Sequence, residues 1–154
     1  MDPQSRAAKL DPMGVALEQA RAAGARGEVP VGAVIVKGGA LIAAAGNRAI
    51  AALDPTAHAE MLAIRAAAAT LGAERLAECD LYVTLEPCAM CAAAISFARI
   101  RRLYYGAADE KGGAVEHGPR FFSQPTCHHA PEVYGDLRAS EAAALLRDFF
   151  AARR

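Results

Sequence analysis

Four residues have the types and the spacing of a metal site with a proton carrier beside it. His58 and Glu60 are two positions apart, and Cys88 and Cys91 form a Cys-x-x-Cys pair further along the chain. Two thiolates three positions apart on a helix lie on one face and suit zinc, and His58 is a candidate third ligand. Three protein ligands leave the fourth tetrahedral position for water, which is typical of a catalytic zinc rather than a structural one.

The spacing of His58 and Glu60 also predicts how their helix is oriented. Residues two positions apart on a regular helix point about 200° apart, so these two side chains cannot share a partner beside the helix. Both can reach a site that lies off the N-terminal end. We therefore expect the helix to point its N-terminus at the metal, with His58 as a ligand and Glu60 moving a proton between water and substrate.

Each of these features has a simpler interpretation when it stands alone. A histidine or glutamate at a helix start is commonly a cap or a partner of the helix dipole. A lone Cys-x-x-Cys fits a redox pair or a structural zinc site equally well. Here His-x-Glu follows Asp54–Thr56, and Cys-x-x-Cys follows Glu86–Pro87 after an apolar run. This combination favours a catalytic zinc site.

Composition narrows the classes of protein that remain. The length of 154 residues predicts one domain over residues 1–154, and 17 basic residues balance 17 acidic ones. This balance excludes a large basic face for non-specific nucleic-acid binding. The start of the chain, MDPQSRAAKLDPMG, has no signal-peptide pattern, and no run of eighteen apolar residues occurs. We expect a cytoplasmic protein with reduced cysteines and no membrane partner.

The elements that must position the site alternate along the chain. Periodicity, caps and turn residues predict helices at 12–25, 57–71, 88–97 and 140–152, and strands at 31–36, 41–46, 81–85 and 103–106. Gly38 and Gly39 predict a hairpin turn, Pro87 a helix first turn, and Ser140 a helix cap. Residues 110–134 are predicted to be irregular. The strand–helix–strand order predicts a mixed sheet with helices on both faces.

The motifs resemble a known family. His58-Ala-Glu60 with Pro87-Cys88-Ala-Met-Cys91 is similar to the signature of the zinc-dependent nucleobase deaminases. Within that superfamily, the sequence resembles the bacterial tRNA-specific adenosine deaminases over most of residues 13–154. The stretches that carry this likeness are 28–34, 47–48, 54–60, 81–91, 96–100, 105–109 and 146–154.

The resemblance implies a fold, a reaction and a set of site residues. It implies a three-layer α/β/α cytidine-deaminase-like fold with a mixed sheet of about five strands, in a homodimer with one zinc per subunit. The implied reaction is hydrolytic deamination of adenosine to inosine at the wobble position of a tRNA anticodon, in an arginine tRNA. The implied roles are zinc ligation by His58, Cys88 and Cys91, catalysis by Glu60, substrate contact by Asn47, Ala59 and Asp109, and approach to the anticodon loop by Phe149–Phe150 and Arg153–Arg154.

One segment departs from the family pattern and leaves alternatives open. Residues 112–134 match poorly, and His128–His129 occupy the place of an expected Asn-His pair. The loop can face RNA, or Phe121 and Phe122 can anchor it to the core. A deaminase of a free nucleobase or nucleoside, such as guanine or cytosine, remains an alternative. A zinc-stabilised structural or binding module is an alternative of another class.

Overall fold

The computed structural model describes residues 10–153. Residues 1–9 lie outside the described residues, and they are most of the segment from which the cytoplasmic location was predicted. Arg154, the second residue of the Arg153–Arg154 pair predicted to approach the anticodon loop, also lies outside them. In chain order the elements are α1 (Pro12–Ala25), β1 (Gly32–Lys37), β2 (Ala40–Gly46), α2 (Ala59–Leu71), β3 (Cys79–Leu85), α3 (Ala89–Ala98), β4 (Arg102–Ala107), a 3₁₀ turn (Phe121–Ser123), β5 (Glu132–Tyr134) and α4 (Ala139–Ala151).

The strands form one mixed sheet in the order β2-β1-β3-β4-β5. Strand β1 is antiparallel to both β2 and β3, whereas β3, β4 and β5 are parallel. Helices α1 and α4 pack together on one face, around Leu17 and Val34, and α2 and α3 pack on the other, around Leu81 and Ile95. The predicted three-layer α/β/α fold with about five strands is confirmed.

Local sequence signals explain the first elements. Helix α1 begins with Pro12, and the Asp11 carboxylate caps it by accepting a hydrogen bond from the Gly14 N–H at 3.1 Å. Gly38 and Gly39 have φ angles of +56° and +80°, which a tight two-residue hairpin turn requires. The predicted hairpin is therefore confirmed, and it places β2 at the edge of the sheet.

The structure differs from the predicted elements in three places. The segment predicted to be irregular contains β5, which pairs with β4 so that Glu132 lies beside Arg102 and Tyr134 beside Tyr104. The rings of the two tyrosines stack with their centroids 5.1 Å apart. Helix α4 begins at Ala139 with Arg138 at its N-cap, so the prediction that Ser140 caps it was wrong. Pro87 precedes the N-cap of α3 and is not in its first turn.

Two of these differences, β5 and the start of α4, have a long-range cause. The Arg102 guanidinium binds the Glu132 carboxylate at 2.6 Å, which holds β5 against β4. Arg138 reaches both Glu141, in the first turn of α4, and Asp11, at the start of α1. Contacts between residues so far apart in the chain leave no periodic pattern within a short segment. Among the described residues, no helix is long and apolar enough to cross a membrane.

Candidate active site

Two helix N-termini converge at the end of the central strands. His58 is the N-cap of α2, and Cys88 is the N-cap of α3, directly after the turn that leaves β3. Neither side chain caps its own helix, because neither hydrogen-bonds to the first-turn N–H groups. Both side chains are therefore free to turn toward a common point off the helix ends, as the spacing of His58 and Glu60 predicted.

The donor atoms of His58, Cys88 and Cys91 form one cluster. The His58 Nδ1 atom lies 3.7 Å from the Cys88 Sγ and 3.5 Å from the Cys91 Sγ, and all three atoms lie within 4.8 Å of one another. A tetrahedral zinc ion, with Zn–N and Zn–S distances of about 2.0 and 2.3 Å, holds such atoms about 3.6 Å apart. One imidazole and two thiols with these separations fit zinc.

The thiols are electrostatically distinct. The pKa of Cys88 is lowered to about 4, because the Cys91 thiol and the His58 ring hydrogen-bond to its sulfur. The pKa of Cys91 is raised, because its thiol hydrogen-bonds to Cys88 and is buried. The hydrogen bond to Cys88 raises the pKa of His58 above its ordinary value. The lowered pKa of Cys88 favours its thiolate form, which is the form that binds zinc.

Glu60 is buried beside this cluster and lines the same pocket. Its side chain belongs to the first turn of α2, and the residue is 4% exposed. Burial raises its pKa to about 7, and the neighbouring Cys88 charge adds to this effect. A carboxyl group that titrates near neutral pH can accept and return a proton during one reaction cycle.

The pocket above the cluster has a volume of about 250 Å³. Among its lining residues are five of the seven predicted site residues: Asn47, His58, Glu60, Cys88 and Asp109. Cys91 lies beneath them in α3, fully buried. Ala59 is buried behind the wall, and its N–H donates to the Asn47 Oδ1 atom at 2.7 Å. This bond leaves the Asn47 amide NH₂ as the group available to a ligand.

Sequence reasoning missed five residues that line this pocket. Most of them have no local sequence pattern that indicates a place in the pocket, because their contacts are long-range. Glu86 is the exception, because an acidic residue between an apolar strand and Pro87-Cys88 is unusual enough to be noticed. The residues are Val29, Val31, Leu85, Glu86 and Gly112. The carboxylates of Glu28 and Glu86 hold the two flanking loops. Glu28 accepts hydrogen bonds from Ile50 and Ala51, and Glu86 accepts one from Asp109.

The remaining candidate residues have structural contacts. Phe121 and Phe122 are half-buried against the core below α3, as the anchoring interpretation of the loop predicted. Arg101 binds the Asp80 carboxylate, and Arg102 binds the Glu132 carboxylate. Cys79, at the start of β3, is a buried core residue.

The Cys127–His129 segment is bound to the end of α3. The Cys127 Sγ lies 3.6 Å from the Ser96 Oγ, and the His129 Nε2 lies 2.7 Å from the Ile100 carbonyl oxygen. Over residues 10–153, the only group of three or more possible metal ligands is His58, Cys88 and Cys91. The described residues therefore contain no second metal site of this kind at His128–His129.

This fold and cluster agree with the comparisons to known families. Residues 8–107 match the family described as the cytidine and deoxycytidylate deaminase zinc-binding region. The chain therefore belongs to this family of zinc-binding deaminases, which its three-layer fold and His/Cys/Cys cluster also indicate.

Within that family, the chain belongs to the tRNA-specific adenosine deaminases. It is 66% identical over 142 residues to the tRNA-specific adenosine deaminase of Agrobacterium fabrum, covering 92% of this chain and 93% of the relative. It is 46% identical over 137 residues to the enzyme of the same name from Aquifex aeolicus, covering 88% and 89%.

Solved structures show the same relationship. A structure from a study of A-to-I editing by tRNA:A34 deaminases at the wobble position is 66% identical, with a TM-score of 0.87, and covers 88% of this chain and 98% of its own. A guanine deaminase from Nitrosomonas europaea is 29% identical, with a TM-score of 0.75, and covers 91% and 83%. The fold is thus shared with a free-base deaminase, but the sequence is much closer to the tRNA enzymes.

Proposed function

We propose that this protein hydrolyses adenosine to inosine at the wobble position of a tRNA anticodon, with an arginine tRNA as the substrate. The observation that supports this most strongly is the His58, Cys88 and Cys91 cluster with Glu60 beside it, in a chain 66% identical to a tRNA-specific adenosine deaminase. The products are inosine and ammonia, and water is the second substrate.

The three clustered donors are the proposed zinc ligands. The separations between the His58 nitrogen and the two sulfurs match the edges of a tetrahedron, and the described residues place no fourth protein ligand in the group. Zinc bound there supplies Lewis acidity, which lowers the pKa of water enough to provide hydroxide near neutral pH. An arrangement with three protein donors favours catalysis over a purely structural module.

Glu60 is the proposed proton carrier. It takes a proton from the attacking water and delivers it to N1 of adenine while hydroxide attacks C6. The Glu60 carboxylate then takes the proton of the new C6 hydroxyl group and passes it to the amine, so that the C–N bond breaks, the C6 carbonyl forms and ammonia leaves. A buried carboxyl with a pKa of about 7 suits both tasks, because it gains and loses a proton at similar cost near neutral pH.

Asn47, Ala59 and Asp109 are the proposed substrate contacts. Asn47 and Asp109 lie on opposite loops of the pocket, and the Asn47 carbonyl oxygen is already bonded to the Ala59 N–H. We therefore assign the Asn47 NH₂ group to an acceptor atom on the nucleotide. The volume of about 250 Å³ suits one nucleotide extruded from a loop, which costs less in single-stranded RNA than in a duplex.

Inosine formation in an RNA stem-loop tests this function. The RNA is an arginine tRNA anticodon stem-loop with adenosine at the wobble position, and free guanine, cytosine and adenosine are assayed in parallel. We expect inosine in the stem-loop and no turnover of the free compounds. Turnover of a free base alone would instead favour a nucleobase deaminase, as the fold shared with guanine deaminase permits.

We also propose a homodimer in the cytoplasm, where tRNA is found. Large apolar side chains that a second copy can cover are exposed at Leu53 (91%), Phe97 (72%) and Ile50 (68%). Light scattering of the purified protein should therefore give about twice the chain mass of 16.0 kDa. A mass of one chain at micromolar concentration would contradict the dimer.

A further inference from the structure

The carboxylate of Glu86 is buried and surrounded by hydrogen-bond donors. Its side chain is 0% exposed. One oxygen accepts from the Asp109 N–H at 3.0 Å and lies 2.7 Å from the His117 Nδ1 atom. The other accepts from three consecutive backbone N–H groups, at Val115, Glu116 and His117, at 2.9 to 3.1 Å. Five donors therefore converge on one carboxylate.

This arrangement requires a carboxylate and accepts no neutral substitute. Both buried oxygens of Glu86 act as acceptors, and no acceptor other than a carboxylate offers two oxygens to these five donors. A glutamine at this position would direct its NH₂ group at either two or three of these donors, whichever way the amide turned. The buried donors would then lose their acceptor.

The donors all belong to one loop, residues 109–117. The loop is closed at its start by the Gly113 N–H bond to the Asp109 carbonyl and tied to the turn after β3 by the Ala114 N–H bond to the Pro87 carbonyl. A Cβ atom added at Gly113 would lie 2.6 Å from the Glu86 Cδ, so only glycine allows the loop to fold over this carboxylate. Glu86 is thus the centre around which the loop is built.

The start of this loop forms one wall of the pocket. Asp109 and Gly112 both line it, as Asn47 of the other flanking loop does. The Asp109 carboxylate is itself held within the loop, because it accepts hydrogen bonds from the N–H groups of Lys111 at 3.1 Å and Gly112 at 2.9 Å. The zinc-ligand candidates and Glu60 lie on α2 and α3. The wall held by Glu86 is therefore separate from the elements that carry the proposed chemistry.

We infer that Glu86 is a positioning residue for RNA: it fixes the loop 109–117 in the conformation that receives the nucleotide, without touching the reacting atoms. This inference rests on the proposed function and adds a determinant of substrate binding. A loop that has lost its anchor should weaken substrate binding and leave the chemical step of the bound nucleotide nearly unchanged.

The test compares kinetics of Glu86→Gln with those of the wild-type protein on the wobble-adenosine stem-loop. We expect KM to rise about tenfold or more, kcat to stay within about threefold, and zinc content to stay at the wild-type level. Glu132→Gln removes an exposed carboxylate on β5 and is the matched control, with no expected change in KM. An unchanged KM in Glu86→Gln, or equal losses in kcat and kcat/KM, would overturn the inference.

Two milder variants decide the question if Glu86→Gln folds poorly. His117→Ala removes one half-exposed donor, and His117→Phe removes the same donor while keeping a planar ring. Both should raise KM in the same direction, and both should speed amide hydrogen exchange at 109–117. Wild-type KM in both variants would overturn the inference. Failure of the proposed function gives a different result, which is that the wild-type protein forms no inosine. In that case the hydrogen-exchange data alone decide the inference, and unaltered exchange at 109–117 in the variants would overturn it.

Discussion

At the scale of single residues, metal ligation and proton transfer are assigned to different side chains. His58, Cys88 and Cys91 have donor atoms within 4.8 Å of one another, and Glu60 lies beside them without belonging to the group. Loss of a ligand should therefore remove metal, whereas loss of Glu60 should remove turnover and leave the metal in place.

The variants Glu60→Ala and Cys88→Ser form a matched pair that tests this separation. Glu60→Ala should keep one zinc per chain and lose about a thousandfold or more in kcat, because no other group carries the proton. Cys88→Ser should lose zinc, because a hydroxyl is a poor replacement for a thiolate ligand. Metal analysis and single-turnover kinetics on both variants are the measurements. Zinc lost from Glu60→Ala, or kept in full by Cys88→Ser, would contradict the assigned roles.

The sequence predicted these four residues because their geometry is local. His-x-Glu at one helix start and Cys-x-x-Cys at another each fix the relative placement of two side chains, and the sheet topology then brings the pairs together. The partners of Glu86 cannot be predicted this way, since its donors are more than twenty residues further along the chain.

At the scale of elements, two loops that flank the pocket are held by buried carboxylates. Glu28, 3% exposed, accepts hydrogen bonds from the N–H groups of Ile50 at 3.1 Å and Ala51 at 2.9 Å. The loop that begins at Asn47 therefore has an anchor like the one that Glu86 provides on the opposite side. These bonds also explain why residues 47–58 hold a defined shape with no regular structure between β2 and α2.

Replacement of Glu28 should destabilise the protein in a pH-dependent way. The hydrogen bond from Ala51, with that from Ile50, lowers the pKa of Glu28 below 4.5. Its contribution to stability is therefore present above pH 4.5 and is lost as pH falls through the folded-state pKa. Glu28→Gln should lower Tm by roughly 5 °C at pH 7, because both N–H groups lose a charged acceptor, and by less once the pH falls through the folded-state pKa of Glu28.

Thermal unfolding across pH, with Glu18→Gln on the exposed side of α1 as the control, is the measurement for Glu28. A Tm difference that does not shrink at any pH between 7 and the onset of acid unfolding would show that the Glu28 charge does not hold the loop.

The elements that sequence reasoning misjudged depend on distant partners in the same way. Strand β5 has three residues and forms because Glu132 and Tyr134 find Arg102 and Tyr104 on β4. The start of α4 is set by Arg138, which reaches Asp11 at the other end of the chain, and not by the nearby Ser140. Helices α1 and α2 and the β1–β2 hairpin were predicted closely, because caps, periodicity and turn glycines lie within each segment.

At the scale of the whole molecule, the fold is shared by deaminases that act on different substrates. The three-layer core resembles a guanine deaminase as well as tRNA deaminases, so the fold alone does not choose the substrate. The loops from Asn47 and from Asp109 line the pocket, and Phe121 and Phe122 of the segment 112–134 pack against the core.

The measurement that tests the central claim most directly is the ratio of two values of kcat/KM, one for the wobble-adenosine stem-loop and one for free guanine. The same zinc-loaded preparation is used for both, and Glu60→Ala is the blank for contaminating deaminases. We expect inosine at the wobble position and a ratio of about a thousand or more. The reason is that the pocket walls are proposed to contact the wobble nucleotide while it is held in the RNA loop. A ratio below one, or inosine formation that persists in the blank, would contradict it.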